Sequence, residues 1–294
     1  MHTRTLLSIA PLALLLAGGC TTKKAEDAPP SGNAQRASPG PATGMSTAMG
    51  TPRPGPARRV AISKEQRERR QRVKRELDRY EAHRIEFDAS KLAEADKKLI
   101  RVLLEAVAVT EELNKVQIHP HNLRYGAEIR AKGTANDKRL YKRYQMPWGT
   151  DDAHRLCNAH RRLVPKQIGL YHWPRNMTDA EFQKISSAPN KKELLSPFTV
   201  VRRAMGKDRW RAIPFAADPL FTPRLSKLSA LLDRAAGLAR EPSLQKFFRS
   251  RAKALLTRTP FPYDASDYDW IALKGRFEVT VGPYEVYKNP RLVK

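Results

Sequence analysis

Near the end of the sequence a carboxylate and a phenol lie two residues apart, at Glu285 and Tyr287. On an extended chain, residues two apart project from the same face, so both side chains would meet one ligand. A carboxylate beside a phenol can bind an ammonium group and a neighbouring carbonyl, which is the chemistry needed to hold the amino end of a peptide. The same spacing is common in purely structural strands, so the pair alone leaves both interpretations open.

The histidines and the second cysteine could form further functional sites, but each candidate group lacks a residue that its chemistry needs. No histidine is followed by glutamate, which excludes a His-Glu-x-x-His zinc helix. His119 and His121 could supply two metal ligands, but a zinc site needs more, and a surface or capping role is the alternative. His154 and His160 do not share a helix face. Cys157 and His160 resemble a nucleophile and a base without an orienting group. We therefore predict no catalytic residue, no metal site and no cofactor in this chain.

Residues 1–19 are typical of a bacterial export signal. A basic start at Arg4 precedes an apolar run, Leu6 to Leu16, that is 11 residues long, whereas a membrane-spanning helix needs about 20. Small residues then lead to Cys20, as in a lipobox, although Ala17 stands where a larger aliphatic residue is usual. We predict acylation of Cys20 and anchoring in a lipid bilayer, with cleavage without lipid as the alternative. Thr21, in place of a retention aspartate, favours the outer membrane of the cell envelope, facing the periplasm or the exterior.

Composition divides the rest of the chain in two. Residues 20–60 are rich in Pro, Ala, Gly and Ser without hydrophobic periodicity and predict a disordered tether, while residues 61–294 predict the folded domain. If Cys20 is acylated, Cys157 is the only remaining thiol, so no internal disulfide can form. The 55 basic and 30 acidic residues give a net charge of +25. This charge favours an anionic lipid or polymer, or simply a basic solvated surface; no nucleic-acid-binding motif is present.

Helical patterns dominate the predicted domain. Ser63 and Gln66 predict a helix start, and a broad apolar stripe predicts a second helix from Ser90 to about Gln117, ended by His119-Pro120. Residues 119–167 contain turn-rich pieces between short helices. Three further helix starts follow, at Thr178 with Glu181, at Thr222 as an N-cap before Pro223, and at Pro242. The β-rich runs Phe198 to Arg202 and Trp210 to Phe215, around Gly206-Lys207-Asp208, predict a hairpin.

The two helices after Thr222 and Pro242 should pack on each other, and Phe277 to Val281 alternates as one half-buried strand. The predicted class is α+β, mostly helical with a few strands.

Five stretches in this order resemble the N-terminal part of the dipeptidyl peptidase III family of zinc metallopeptidases, in its shorter bacterial branch. They are NMTDAEF (176–182), LSPFTVVRR (195–203), FFRSRAKALLT (247–257), SDYDWIAL (266–273) and FEVTVGPYEVY (277–287). The resemblance covers roughly residues 90 to 290.

The resemblance implies that Glu285, Val286 and Tyr287 match the family segment that grips the amino end of a bound peptide. Val286 replaces the usual Thr or Ser, and Asn289 stands where the family has an acidic residue. The family's zinc-binding lobe would follow this segment. Its motifs are absent from this sequence, so the resemblance implies a partial, non-catalytic domain, either a fragment or a lipoprotein that has shed its catalytic half. An envelope-binding lipoprotein with a basic surface is the alternative function.

Overall fold

The computed structural model describes residues 62–79, 86–147, 171–206 and 209–284. This part of the chain is predominantly helical, with one two-stranded antiparallel sheet, which confirms the predicted α+β class. In chain order the elements are α1 (Lys64–Asp78), α2 (Glu94–Ile118), α3 (Asn122–Lys132), α4 (Ala135–Tyr144), α5 (Asp179–Ser187), α6 (Lys191–Leu194), β1 (Thr199–Arg203), β2 (Trp210–Pro214), α7 (Thr222–Leu238), α8 (Pro242–Leu256) and α9 (Asp264–Ile271). Among these described helices, none combines the length and the apolar character required to cross a bilayer.

The main hydrophobic core lies where α2 and α8 both pack against α7. From α7 and α8, Leu232, Phe247 and Phe248 are buried at its centre, which confirms the predicted pairing of these two helices. Leu99 and Val102 of α2 are also buried, whereas Leu103 and Leu113 of the predicted stripe are only partly covered. The α2 helix is therefore rotated slightly from the orientation that the stripe alone suggests.

A smaller packing unit joins α1 to the α3–α4 pair. Val73 and Leu77 of α1 pack with Ile129 and Leu140, and all four side chains are buried. Helices α3 and α4 are the short helical pieces that the sequence predicts within the turn-rich stretch, up to residue 147. The remainder of that stretch lies outside the described residues.

Most helix starts follow the sequence prediction, but α2 begins at Glu94, after a short 3₁₀ turn at Ala89–Lys91, and not at the predicted Ser90. Thr178 and Glu181 form a reciprocal capping box at α5, and α8 begins at Pro242 as predicted. The prediction of Thr222 as the N-cap of α7 is wrong, because Phe221 occupies the N-cap position, without a side-chain hydrogen bond to the helix, and Thr222 is the first helical residue. The Thr222 hydroxyl instead donates to backbone carbonyls of the preceding turn, at 3.1 Å and 2.8 Å, which draws the residue into the helix.

The predicted hairpin is present, with Val200 of β1 opposite Ile213 of β2. The predicted strand at Phe277–Val281 is not: this segment is extended, but no described strand pairs with it. Its side chains do alternate as predicted, since Phe277, Val279 and Val281 pack on the main core while Glu278 and Thr280 are exposed. The alternation shows only that one face of this segment is buried, and a face can be buried without a neighbouring strand.

Candidate functional site

The structure describes the residues that lead up to the candidate site, 274–284, which we call the approach. Glu285, Val286 and Tyr287 lie outside the described residues, as do Cys20, Cys157, His154 and His160, so the description ends at Tyr284. Because Tyr284 is bonded directly to Glu285, whatever fixes Tyr284 also fixes where the predicted peptide-binding segment begins.

The start of the approach is tied to α2. The Arg276 guanidinium pairs with the buried Asp96 carboxylate at 3.0 Å and approaches Glu241 at 3.8 Å. The Lys274 backbone N–H donates to Ser243 Oγ at 3.1 Å. These contacts hold the residues just before Phe277, and the apolar face of the extended segment then lies on the core.

At the end of the approach the chain turns at Gly282-Pro283. The Tyr284 ring folds back over Gly282 so closely that a Cβ there would lie 2.9 Å from the Tyr284 Cε2 atom. A side chain at position 282 would therefore displace the Tyr284 ring from this arrangement. Pro283 adds a fixed φ angle.

Arg251 of α8 lies beneath this turn with its side chain fully buried. Its guanidinium carbon is 5.0 Å from the centroid of the Tyr263 ring, 5.4 Å from that of Phe247 and 5.5 Å from that of Tyr284. Within the described residues, Arg251 Nη2 donates to Asp267 Oδ1, whereas Nε and Nη1 make no hydrogen bond. The cation is thus surrounded by aromatic rings, which attract it through their electron-rich faces.

Asp267 of α9 links this cation to the end of the approach. The Tyr284 hydroxyl donates to Asp267 Oδ1 at 3.1 Å, the oxygen that also accepts from Arg251. Burial raises the pKa of the Tyr284 phenol to about 12; the Arg251 charge opposes this and the Asp267 charge adds to it. The phenol therefore stays protonated at neutral pH and remains a hydrogen-bond donor.

The histidine pair at the end of α2 adopts the capping role that the sequence leaves open. His119 is the C-cap of α2 and is buried, and its Nδ1 accepts from the His121 backbone N–H at 3.1 Å. Burial, with the nearby His121, Arg175 and Arg124 charges, lowers the His119 pKa to about 4. In the described part of the chain, no three His, Cys, Asp or Glu side chains lie close enough to share a metal ion.

The sequence alone does not identify Arg251, Asp267 and Tyr284 as a unit. A signal was available, because each belongs to a different one of the last three family-like stretches, 247–257, 266–273 and 277–287. The structure brings these three stretches together at one point.

Comparison with known proteins supports a peptidase-like relationship. No protein-family model matches the chain. Two solved structures share its fold over 74% of the chain: DPP III from Caldithrix abyssi, with TM-score 0.62 and 27% identity, and dipeptidyl-peptidase III from a Corallococcus strain, with TM-score 0.64 and 25% identity. The Arabidopsis thaliana protein named Nudix hydrolase 3 is 22% identical over 267 residues, again covering 74% of the chain.

The chain spans 40% of each bacterial structure and 34% of the plant protein. The described residues therefore have a fold like part of dipeptidyl peptidase III.

Proposed function

We propose that this chain binds peptides by their free amino end, through Glu285 and Tyr287, and does not hydrolyse them by itself. The observation that carries the proposal is the fold shared with two solved dipeptidyl peptidase III structures over 74% of the chain. The supporting geometry is the anchored extended segment that leads directly into Glu285.

The chemistry of the pair sets the expected affinity. Glu285 would accept from the peptide ammonium and Tyr287 would donate to a neighbouring carbonyl. A well-formed charge-assisted contact contributes about 1.5 to 3 kcal/mol, but a surface ion pair in water contributes only about 0 to 1 kcal/mol. We propose that the pair meets its ligand in water, so we expect the screened value and a dissociation constant no tighter than about 1 mM, equivalent to about 4 kcal/mol.

Hydrolysis by this chain alone is not part of the proposal. In the family that the sequence resembles, zinc supplies a polarised water, and the described residues do not fit such an ion. The one adjacent histidine pair that they contain has His119 Nδ1 engaged as a hydrogen-bond acceptor. Metal analysis and a peptidase assay with and without chelator test this directly: one equivalent of zinc with chelator-sensitive cleavage would overturn it.

The proposed binding role is tested with two matched variants. Glu285→Gln removes the proposed ammonium acceptor, and Glu278→Gln removes an exposed carboxylate from the same segment. In calorimetry with a free-amine tetrapeptide, we expect Glu285→Gln to weaken binding several-fold and Glu278→Gln to match the wild type. Equal effects of the two substitutions would show that general charge, not the Glu285 site, attracts the peptide.

The net charge of +25 favours a second candidate function, adhesion to anionic lipid or polymer in the cell envelope. Charge-driven adhesion fades as the Debye length falls from about 10 Å at 0.1 M salt to about 3 Å at 1 M. Vesicles containing anionic lipid discriminate the two roles. Strong vesicle binding that salt abolishes, without peptide binding, would favour the envelope role.

Both roles include export and acylation of Cys20, which places the chain at the bacterial envelope. Cys20→Ser should release soluble protein or leave an uncleaved precursor. Unchanged membrane retention and processing in this variant would refute the lipid anchor.

A further inference from the structure

We propose that the smaller packing unit, α1 with the α3–α4 pair, docks this protein on an anionic lipid bilayer through arginines that lie at the crevice between α1 and α4. Residues 64–79 and 122–144 are called the basic unit below. The proposal rests on the second candidate function, adhesion to the envelope, and deepens it by naming the surface and the partner. It involves none of the proposed peptide-binding residues.

Positive charge is concentrated in the basic unit. The unit contains 15 Lys and Arg residues against 6 Asp and Glu residues, whereas the other described residues contain 24 against 17. The basic unit therefore carries more net positive charge than all the other described residues together. Because attraction follows the distribution of charge, an anionic surface is drawn chiefly to this part of the molecule.

Most acidic side chains of the basic unit are already engaged inside it. The buried Asp137 carboxylate pairs with Arg69 at 2.9 Å and also accepts from the Thr134 backbone N–H and hydroxyl. Three further carboxylates are paired with a cation on the same chain segment: Asp78 with Lys74, Glu76 with Arg79, and Glu128 with Arg124. These carboxylates therefore do little to neutralise the remaining cations of the unit.

Three of the remaining cations lie at a crevice between α1 and the start of α4. The crevice has a volume of about 270 Å³, and Arg70, Thr134 and Asn136 are among the residues that line it. Residues three apart are neighbours on a helix surface, so Arg67 lies beside Arg70 on α1 and Arg139 lies beside Asn136 on α4. All three arginines are exposed and form no ion pair with any described residue. Their guanidinium groups are therefore available to lipid phosphates, which arginine binds with two parallel hydrogen bonds.

The place of the basic unit in the chain favours a bilayer over a soluble anion. Residues 20–60 lead from Cys20, the proposed site of the lipid anchor, towards α1. Such an anchor would keep the domain near the bilayer and raise the effective concentration of lipid head groups around α1. An acyl chain and a basic surface together bind a membrane more stably than either does alone.

The test measures binding of the full chain to vesicles, with Cys20→Ser in every protein, including the parent, so that no acyl chain contributes. The docking variant combines three substitutions at the crevice: Arg67→Gln, Arg70→Gln and Arg139→Gln. The matched control combines three substitutions of exposed cations outside the basic unit: Arg211→Gln, Lys227→Gln and Arg240→Gln. The two variants lose the same net charge, and circular dichroism checks that both keep the fold.

The vesicles contain phosphatidylglycerol and phosphatidylcholine, and vesicles of phosphatidylcholine alone give the background. At about 0.1 M salt, each cation close to an anionic bilayer contributes about fivefold to affinity. We therefore expect the docking variant to bind about hundredfold more weakly than the parent, and the control variant to stay within about threefold of it. Equal losses in the two variants would overturn the docking surface while the adhesion role stands. No binding of the parent above background would overturn both.

Two further measurements separate this surface from the other proposed partners. A loss of affinity for soluble polyphosphate in the docking variant, with unchanged vesicle binding, would assign the surface to a polymer and overturn docking on lipid. Affinity for a free-amine tetrapeptide should be the same in the parent and the docking variant, because the three arginines lie outside the proposed peptide-binding segment. A failure of the peptide-binding role therefore leaves the vesicle result decisive.

Discussion

Acidification should destabilise this protein through His119, and replacement by asparagine should remove most of that sensitivity. His119 is buried at the C-terminal end of α2, and burial with the charges of His121, Arg175 and Arg124 lowers its pKa from 6.5 to about 4. The unfolded chain therefore binds a proton at a higher pH than the folded chain does. The contribution of neutral His119 to the free energy of unfolding is fully present above pH 6.5 and is lost as the pH falls toward 4.

The magnitude follows from the difference between the two pKa values. Each pKa unit corresponds to about 1.4 kcal/mol, so the depression to about 4 predicts a loss of about 3 kcal/mol between pH 7.5 and pH 4. His119→Asn is the informative substitution because the asparagine oxygen can accept from the residue 121 N–H, as Nδ1 does now. The turn is thereby kept and only the titration is removed.

The assay is urea unfolding followed by circular dichroism at several pH values between 4 and 7.5. We expect the free energy of unfolding of wild type to fall by about 3 kcal/mol more than that of His119→Asn over this range. Because burial is the largest cause of the lowered His119 pKa and the His121 charge only adds to it, His121→Asn should reduce the pH dependence only in part. Parallel pH profiles for wild type and His119→Asn would refute the reasoning.

Four substitutions test the packing and capping described above, each by urea unfolding at neutral pH. Gly126→Ala should destabilise the protein by about 1 to 3 kcal/mol, because the new Cβ would lie 2.8 Å from Tyr141 Cε1. Gly237→Ala, in open space on α7, should instead stabilise it by about 0.5 to 1 kcal/mol. The opposite order of stability in these two variants would contradict the packing of α3 on α4. Phe248→Ala should cost about 3 to 5 kcal/mol, since the ring is fully buried, and a loss below about 1 kcal/mol would place it outside the core. Thr178→Ala should cost about 1 kcal/mol through loss of the α5 cap; no loss would mean that the cap contributes nothing in solution.

Local chemistry explains which parts of the fold were predictable from the sequence. The capping box at Thr178, the start of α8 at Pro242 and the β1–β2 hairpin depend on residues within a few positions of each other. The cap of α7 was misplaced by one residue because the carbonyls that hold Thr222, at positions 216 and 218, belong to the preceding turn. Sequence pattern showed that Phe277–Val281 buries one face, but it could not show whether another strand lies beside it.

The sequence predicts which residues form the candidate site, but not which residues hold the chain that leads to it. Glu285 and Tyr287 were found from their spacing of two residues together with the resemblance of residues 277–287 to a family segment. Arg251, Asp267 and Tyr284 are separated by 16 and 17 positions, and only the packing of α8, α9 and the extended segment unites them. An arginine in an amphipathic helix is ordinarily a surface charge, so the burial of Arg251 could not be inferred from the sequence of α8.

Binding of a peptide by its free amino end is tested by comparing a tetrapeptide with its N-acetylated form in one NMR titration series at fixed salt. We expect a dissociation constant no tighter than about 1 mM for the free amine and binding at least several-fold weaker after acetylation, because the ammonium that Glu285 would accept from is gone. Equal affinity for the two peptides, or none for either, would contradict it.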